Sequence, residues 1–237
     1  MKKELDEKSE WTRIREKLNQ NYKYDDTWKE AINLFKNRLE RTFLNPIQLI
    51  IDTKRREGEG FTIVTVQCAL IEMLSAFRQG KIFNHKTKRS SPKYEYKNSE
   101  EMFTSLLLEA PIFQDIFWKL NKKNNREKNQ PYNASDFYKY VRCGLMHEAR
   151  TKGNWHITTA PKSVLVKSEK RFIIKEDGKN KIYRTVLHYR LLNYLDDYYN
   201  ELRQDTQDGE KLRKYFARKL DHLFELDPDL KYDWWTE

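Results

Sequence analysis

The sequence predicts a mainly α-helical fold, and three observations carry the prediction. Apolar side chains recur at helical spacing through most of the 237 residues, which gives each helix one apolar face. Gly and Pro are scarce, at seven and six residues, whereas an all-β chain with many tight turns needs more of both. Phe, Tyr and Trp make up 14% of the chain against 35% charged residues. That aromatic share is enough to build a core and argues against disorder.

The elements follow in order. Residues 8–20 and 25–43 read as amphipathic helices. The second carries Trp28, Ala31, Ile32, Leu34, Phe35, Leu39 and Phe43 at helical spacing, and Asp25 or Asp26 caps its start. Pro46 interrupts, 47–51 is a short apolar run, and 53–60 is a polar break with two glycines. A long helix over about 61–83 is apolar almost all round, which implies burial on most sides. Its one polar stripe is Thr65, Glu72 and Gln79, aligned because seven residues are nearly two turns. A basic loop at 84–98 leads to a helix over about 99–120, which Pro111 kinks or divides. A second basic loop covers 121–132. Asn133, with Asp136 three residues on, then opens a helix through about Ala149, and Gly153 is its natural stop.

Beyond that point the pattern changes. The stretches 155–158, 163–166, 172–175 and 182–186 are strand-like, and Glu176-Asp177-Gly178-Lys179 is a strong hairpin turn. Helices resume at about 187–204 and 209–225, and Trp234-Trp235 anchors the tail. This organisation suggests a helical bundle over 1–153, a β-hairpin region over 154–186, and C-terminal helices over 187–237 that pack on the bundle.

The net charge is +10 and the isoelectric point is near 9.3, so the surface attracts polyanions. Nucleic acid is the commonest such partner, and an anionic membrane surface is the other. Charge serving solubility alone is the plain alternative. Cys68 and Cys143 are the only cysteines and cannot form a disulfide framework. The first residues, MKKELDEKSEWTR, lack the apolar core of a signal peptide. The most apolar stretch, 61–77, contains Thr62, Thr65, Gln67, Glu72 and Ser75 and reads as too polar for a membrane span. A reducing cytoplasm fits these features. If helices 61–83, 99–120 and 134–149 run up, down and up, one end collects Arg78, Lys81, Lys86, Lys88, Arg89, His147, Arg150 and Lys152. Of these, Lys86, Lys88, Arg89, Arg150 and Lys152 are the candidate RNA-binding residues.

The segment Asp136-Phe137-Tyr138-Lys139-Tyr140-Val141-Arg142-Cys143-Gly144-Leu145-Met146-His147 carries the chemistry. Arg-x4–6-His spacing occurs three times, at Arg78/His85, Arg142/His147 and Arg150/His156. About one such match is expected by chance, so context decides. Only Arg142 and His147 lie together inside one capped helix with mixed aromatic and apolar residues. This segment, with the apolar helix before it, resembles the HEPN superfamily over about 61–153. The resemblance implies a HEPN-like helical bundle, here with a small β-hairpin or sheet insertion after the motif helix. It also implies metal-independent RNA cleavage at a homodimer interface, with no cofactor, as in a toxin or antiphage effector that an antitoxin or other regulatory protein restrains. Cys143 stands where active members commonly carry Asn, Asp or His, and some members keep the fold without cutting RNA.

Physically, the two residue types suit that reaction. Attack by a ribose 2′-hydroxyl on the adjacent phosphate needs proton transfer, and His titrates in the right range. The crowded, doubly charged transition state needs a fork of donors, which Arg supplies. Residues five apart are roughly 140° apart around a helix, so Arg142 and His147 do not share one narrow face, and two protomers would complete a site. Gly144 would permit close approach of a neighbour or substrate. Glu72, if buried, needs a cation, and Arg142 is a candidate; otherwise Glu72 belongs to a solvated stripe.

Plainer readings remain for each feature. His147 and Arg150 in a last helical turn suit the helix dipole alone. Cys143 and His147, four apart, are half a metal site whose second half is missing. Asp177-Gly178-Lys179 and Asp229-Leu230-Lys231 imitate an acid-x-Lys nuclease element but read better as turn and tail. The stripe Tyr189, Tyr194, Tyr198 and Tyr199 reads as helix packing before base stacking. A non-enzymatic module that binds nucleic acid or protein is the competing function.

Overall fold

A computed structural model describes residues 2–18, 21–54, 58–88, 90–120, 130–160 and 171–236. It is mainly helical, with small sheets. In chain order the elements are α1 Lys2–Lys17, α2 Asp26–Leu39, a π-helical turn Glu40–Leu44, α3 Asn45–Asp52, α4 Glu59–Gln79, β1 Ile82–Phe83, β2 Glu95–Tyr96 and α5 Ser99–Glu109. There follow β3 Phe117–Trp118, β4 Tyr132–Asn133, and a motif helix built from α6 Ala134–Asp136, a π-helical stretch Phe137–Arg142 and α7 Cys143–Glu148. Strands β5 Trp155–Thr158, β6 Ile173–Glu176 and β7 Lys179–Tyr183 precede α8 Arg184–Arg203 and α9 Gln207–Leu223.

Several expectations meet a physical correction. Pro46 does not interrupt: it lies in the first turn of α3, after a widened π turn. Proline cannot donate a backbone bond four residues back and crowds that carbonyl, and a wider turn accommodates both defects. The helix expected over 99–120 ends at Glu109, because Pro111 forces turns that lead into β3. The motif helix ends at Glu148, within a residue of the expected end at about Ala149, but its stop is Ala149 in the left-handed conformation (φ 52°) rather than Gly153. Asn133 caps that helix by accepting from the Ser135 N–H at 2.8 Å. The expected strand at 163–166 and the basic loop at 121–129 lie outside the described residues.

The chain divides into two units by packing rather than by chain order. The first comprises Met1–Thr42, Leu74–Asn98 and Asp196–Glu237; the second comprises Phe43–Met73 and Ser99–Leu195. In the first, the buried face of α2 is Trp28, Ala31, Ile32, Leu34, Phe35 and Leu39, the residues its periodicity marks. Phe35, Phe77 and Phe216 form an aromatic group with centroids 4.4–5.9 Å apart. Asp221, fully buried on α9, ties this unit together. Its carboxylate accepts from the indole N–H groups of Trp11 (2.9 Å), Trp234 (2.8 Å) and Trp235 (2.8 Å), and pairs with Arg15 at 2.9 Å. The tail is thus anchored as its tryptophans suggest.

In the second unit, Phe137 sits among Phe103, Phe117, Trp155 and Phe172 at 5.3–6.1 Å, which fixes the start of the motif helix. The sheet order is β5-β7-β6, with β5 parallel and β6 antiparallel to β7. Asp177 and Gly178 both have positive φ, 51° and 71°, as a two-residue type I′ hairpin turn demands. A buried pair, Arg184 to Glu59 at 2.9 Å, and the Gln67 side chain donating to the Arg184 carbonyl at 2.8 Å join α4 to the start of α8. By length and composition alone α4 could cross a bilayer, so its polar residues do not exclude that; but 61% of its apolar window is buried inside the protein, as in the core helix of a soluble one.

Candidate active site

The motif helix presents its two marked residues differently. Arg142 closes the π-helical stretch and reaches α4, where its Nη2 donates to Glu72 Oε2 at 3.0 Å. The side chains are 21% and 15% exposed, so the pair is shielded but open to an approaching anion. The Tyr138 ring lies 5.5 Å from the guanidinium carbon. Burial acts to lower the Arg142 pKa, but Glu72 and Tyr138 outweigh it and hold the guanidinium charged. Glu72 is therefore an ion-pair partner, one of the two alternatives its position in the polar stripe left open.

Tyr138, Cys143 and Cys68 complete the surroundings of this pair, and Tyr138 is not among the residues singled out from the sequence. Burial, then a bond with Cys143, pushes the Tyr138 phenol up to about 12. Burial likewise pushes the Cys68 thiol up to about 12, so Cys68 stays protonated at neutral pH and is a poor metal ligand or nucleophile. The only signal that could have found Tyr138 is its place four residues before Arg142, one helical turn away.

His147 lies exposed in the last turn of α7, beside the half-exposed Met146. No hydrogen bond or ring contact joins it to Arg142 within the chain. Gly144 serves a different purpose from the one expected. A Cβ there would stand 2.6 Å from the Arg150 carbonyl oxygen, so the glycine admits the chain's own return after Ala149. The Arg150 and Lys152 N–H groups close that return on the Gly144 (3.3 Å) and Tyr140 (2.9 Å) carbonyls.

The candidate RNA-binding residues do not belong to one unit. Lys86 and Lys88, exposed in the loop after β1, are in the first; the exposed Arg150 and the half-exposed Lys152, paired with Glu148 at 2.9 Å, are in the second. Arg89 lies outside the described residues. Of the other two Arg–His pairs, Arg78 is bound to Glu201 at 2.7 and 3.1 Å, and Arg150 precedes β5 while His156 lies within it, opposite Lys181 of β7. Asp177 occupies the hairpin turn, and Asp229 turns back on Lys231, its carboxylate accepting the Lys231 N–H at 3.0 Å. Tyr194, Tyr198 and Tyr199 are buried, leaving Tyr189 exposed. Comparison with protein-family models, with curated proteins and with solved structures returned no match.

Proposed function

We propose that the chain is a HEPN-like, metal-independent endoribonuclease that acts as a homodimer in the cytoplasm, in the manner of a toxin or antiphage effector. The observation that carries this reading is Arg142, held charged and partly open by Glu72 and Tyr138 on the helix that exposes His147. Glu72 accepts from one of the five guanidinium donors, and the others match phosphate oxygens. His147 takes the proton of the 2′-hydroxyl as its oxygen attacks phosphorus. The 5′-oxygen leaves and is protonated, giving a 2′,3′-cyclic phosphate and a 5′-hydroxyl. Arg142 of one protomer and His147 of the other would meet over the scissile phosphate, since residues five apart lie on different faces of one helix. Arg150 and Lys152, on the same unit as the motif helix, hold the RNA backbone.

The test is cleavage of labelled RNA in EDTA by the purified protein and by His147→Ala. Cleavage by the parent and its loss in the variant is the expected result; equal cleavage by both rejects the assignment. A second reading is a HEPN-like module that binds nucleic acid or protein without cutting it. The occupation of Arg142 by Glu72 favours that reading, and Glu72→Gln separates the two. The substitution alters turnover in a nuclease and leaves a binding module silent.

A further inference from the structure

We propose that the first unit carries a second site, in the cavity where α4 ends, which binds a diphosphate-sized phosphate group borne by a small molecule. The cavity is about 380 Å3 and is lined by Gln79, Lys81, Lys93, Tyr94, Tyr215 and Arg218. Its construction starts at Gly80, which ends α4 with φ +60° and lies so close to Tyr215 that a Cβ would stand 2.6 Å from the ring. The Gly80 carbonyl accepts from Arg218 Nη1 at 3.1 Å, and Arg218 Nε donates to the Trp234 carbonyl. Tyr94 and Tyr215 flank the guanidinium, with centroids 4.8 and 5.7 Å from its central carbon. Arg218 is only 2% exposed, so its fork is fixed before any ligand arrives. The Lys81 ammonium donates to the Lys93 carbonyl, which brings the two lysine-bearing segments together. Lys211 adds positive charge 5.7 Å from the Tyr215 ring.

Among the described residues, this lining holds three cations and no carboxylate. Glu95, next to Tyr94, is held by Asn84 and Thr87 at 3.0 and 3.1 Å. Like charges gathered in a walled concavity focus a positive potential. A rigid guanidinium beside flexible ammonium groups matches the spread charge of phosphate oxygens better than a single carboxylate. The volume lies at the small end for ligand cavities, which favours a diphosphate or a compact phosphate ester. The site is independent of RNA cleavage, whose catalytic pair belongs to the second unit.

Titration calorimetry with pyrophosphate at fixed ionic strength tests the site on the full chain. Lys93 is exposed, so Lys93→Glu should fold normally, as its melting curve checks. Lys175→Glu, an equal charge change on an exposed residue of β6, is the control. One saturable site, weakened about tenfold or more by Lys93→Glu and less than about twofold by the control, is the expected result. Absence of saturable binding up to about 10 mM pyrophosphate, or equal weakening in both variants, overturns the proposal. So does Lys93-dependent binding of a short single-stranded RNA without any binding of pyrophosphate.

Discussion

Asp221 in the first unit and Glu72 in the second are both helix-borne carboxylates with an arginine partner, yet their surroundings differ. Asp221 is fully buried and accepts from three indoles besides pairing with Arg15. Glu72 keeps 15% of its side chain exposed, and among the described residues Arg142 is its one hydrogen-bonded partner. A buried charge whose lone pairs are all satisfied fixes structure. A half-open pair with donors to spare can exchange one anion for another, which is what a phosphate site needs.

The largest expected effects bear on that contrast. Arg142→Ala and His147→Ala should each reduce RNA cleavage about a thousandfold, or about 4 kcal/mol in the barrier. The melting temperature of His147→Ala should stay within a few degrees of the parent, because the side chain is exposed. Activity that survives both changes breaks the comparison on the side of the second unit. Asp221→Ala should lower unfolding stability by about 3–5 kcal/mol in urea titrations, since it strands Arg15 and three buried indole donors. A loss below about 1 kcal/mol would show that the tryptophans are not fastened through this carboxylate.

Lys219 sharpens the comparison further, because burial lowers its ammonium pKa from 10.5 to about 8, and that ammonium lies 5.4 Å from the Phe77 ring centre. Between these two values the unfolded chain holds a proton that the folded chain has lost. Stability therefore rises with pH across that window, and below it the buried charge is a constant penalty. Lys219→Met should remove the rise and stabilise the protein at pH 7 by roughly 2 kcal/mol. Denaturant titrations at pH 7 and at about pH 10 check both points. Smallest is Gly178→Ala, which strains a left-handed turn residue and should cost about 1 kcal/mol by the same titrations, with cleavage unaltered.

Local rules made much of the fold legible. Asp25 caps α2 by accepting from the Trp28 N–H, the apolar spacing of α2 marks its buried face, and Asp177-Gly178 marks the hairpin. The Glu72–Arg142 pair was legible as an alternative, because a carboxylate on an apolar helix demands a cation. Other features were hidden because their causes are distant in sequence. Asp221 gathers residues as far back as Trp11, 210 positions away, and nothing near it announces three indoles. The π-helical stretch Phe137–Arg142 contains no proline or glycine to announce it. The left-handed residue at Ala149 is hidden because sequence rules assign that place to glycine.

The carboxylate of Asp221 also sets an order of events during translation. Every residue of the second unit has been made by Leu195, so the helix bearing Arg142 and His147 can fold while the ribosome is still working. In the first unit, Glu7 can tie the opening helix to α2 through Arg38 early, but the contacts of Trp11 and Arg15 wait for Asp221, and that cluster for Trp234 and Trp235. A nascent chain arrested shortly before those tryptophans would carry the helix of Arg142 and His147 complete while the carboxylate cluster of the first unit is still unfinished.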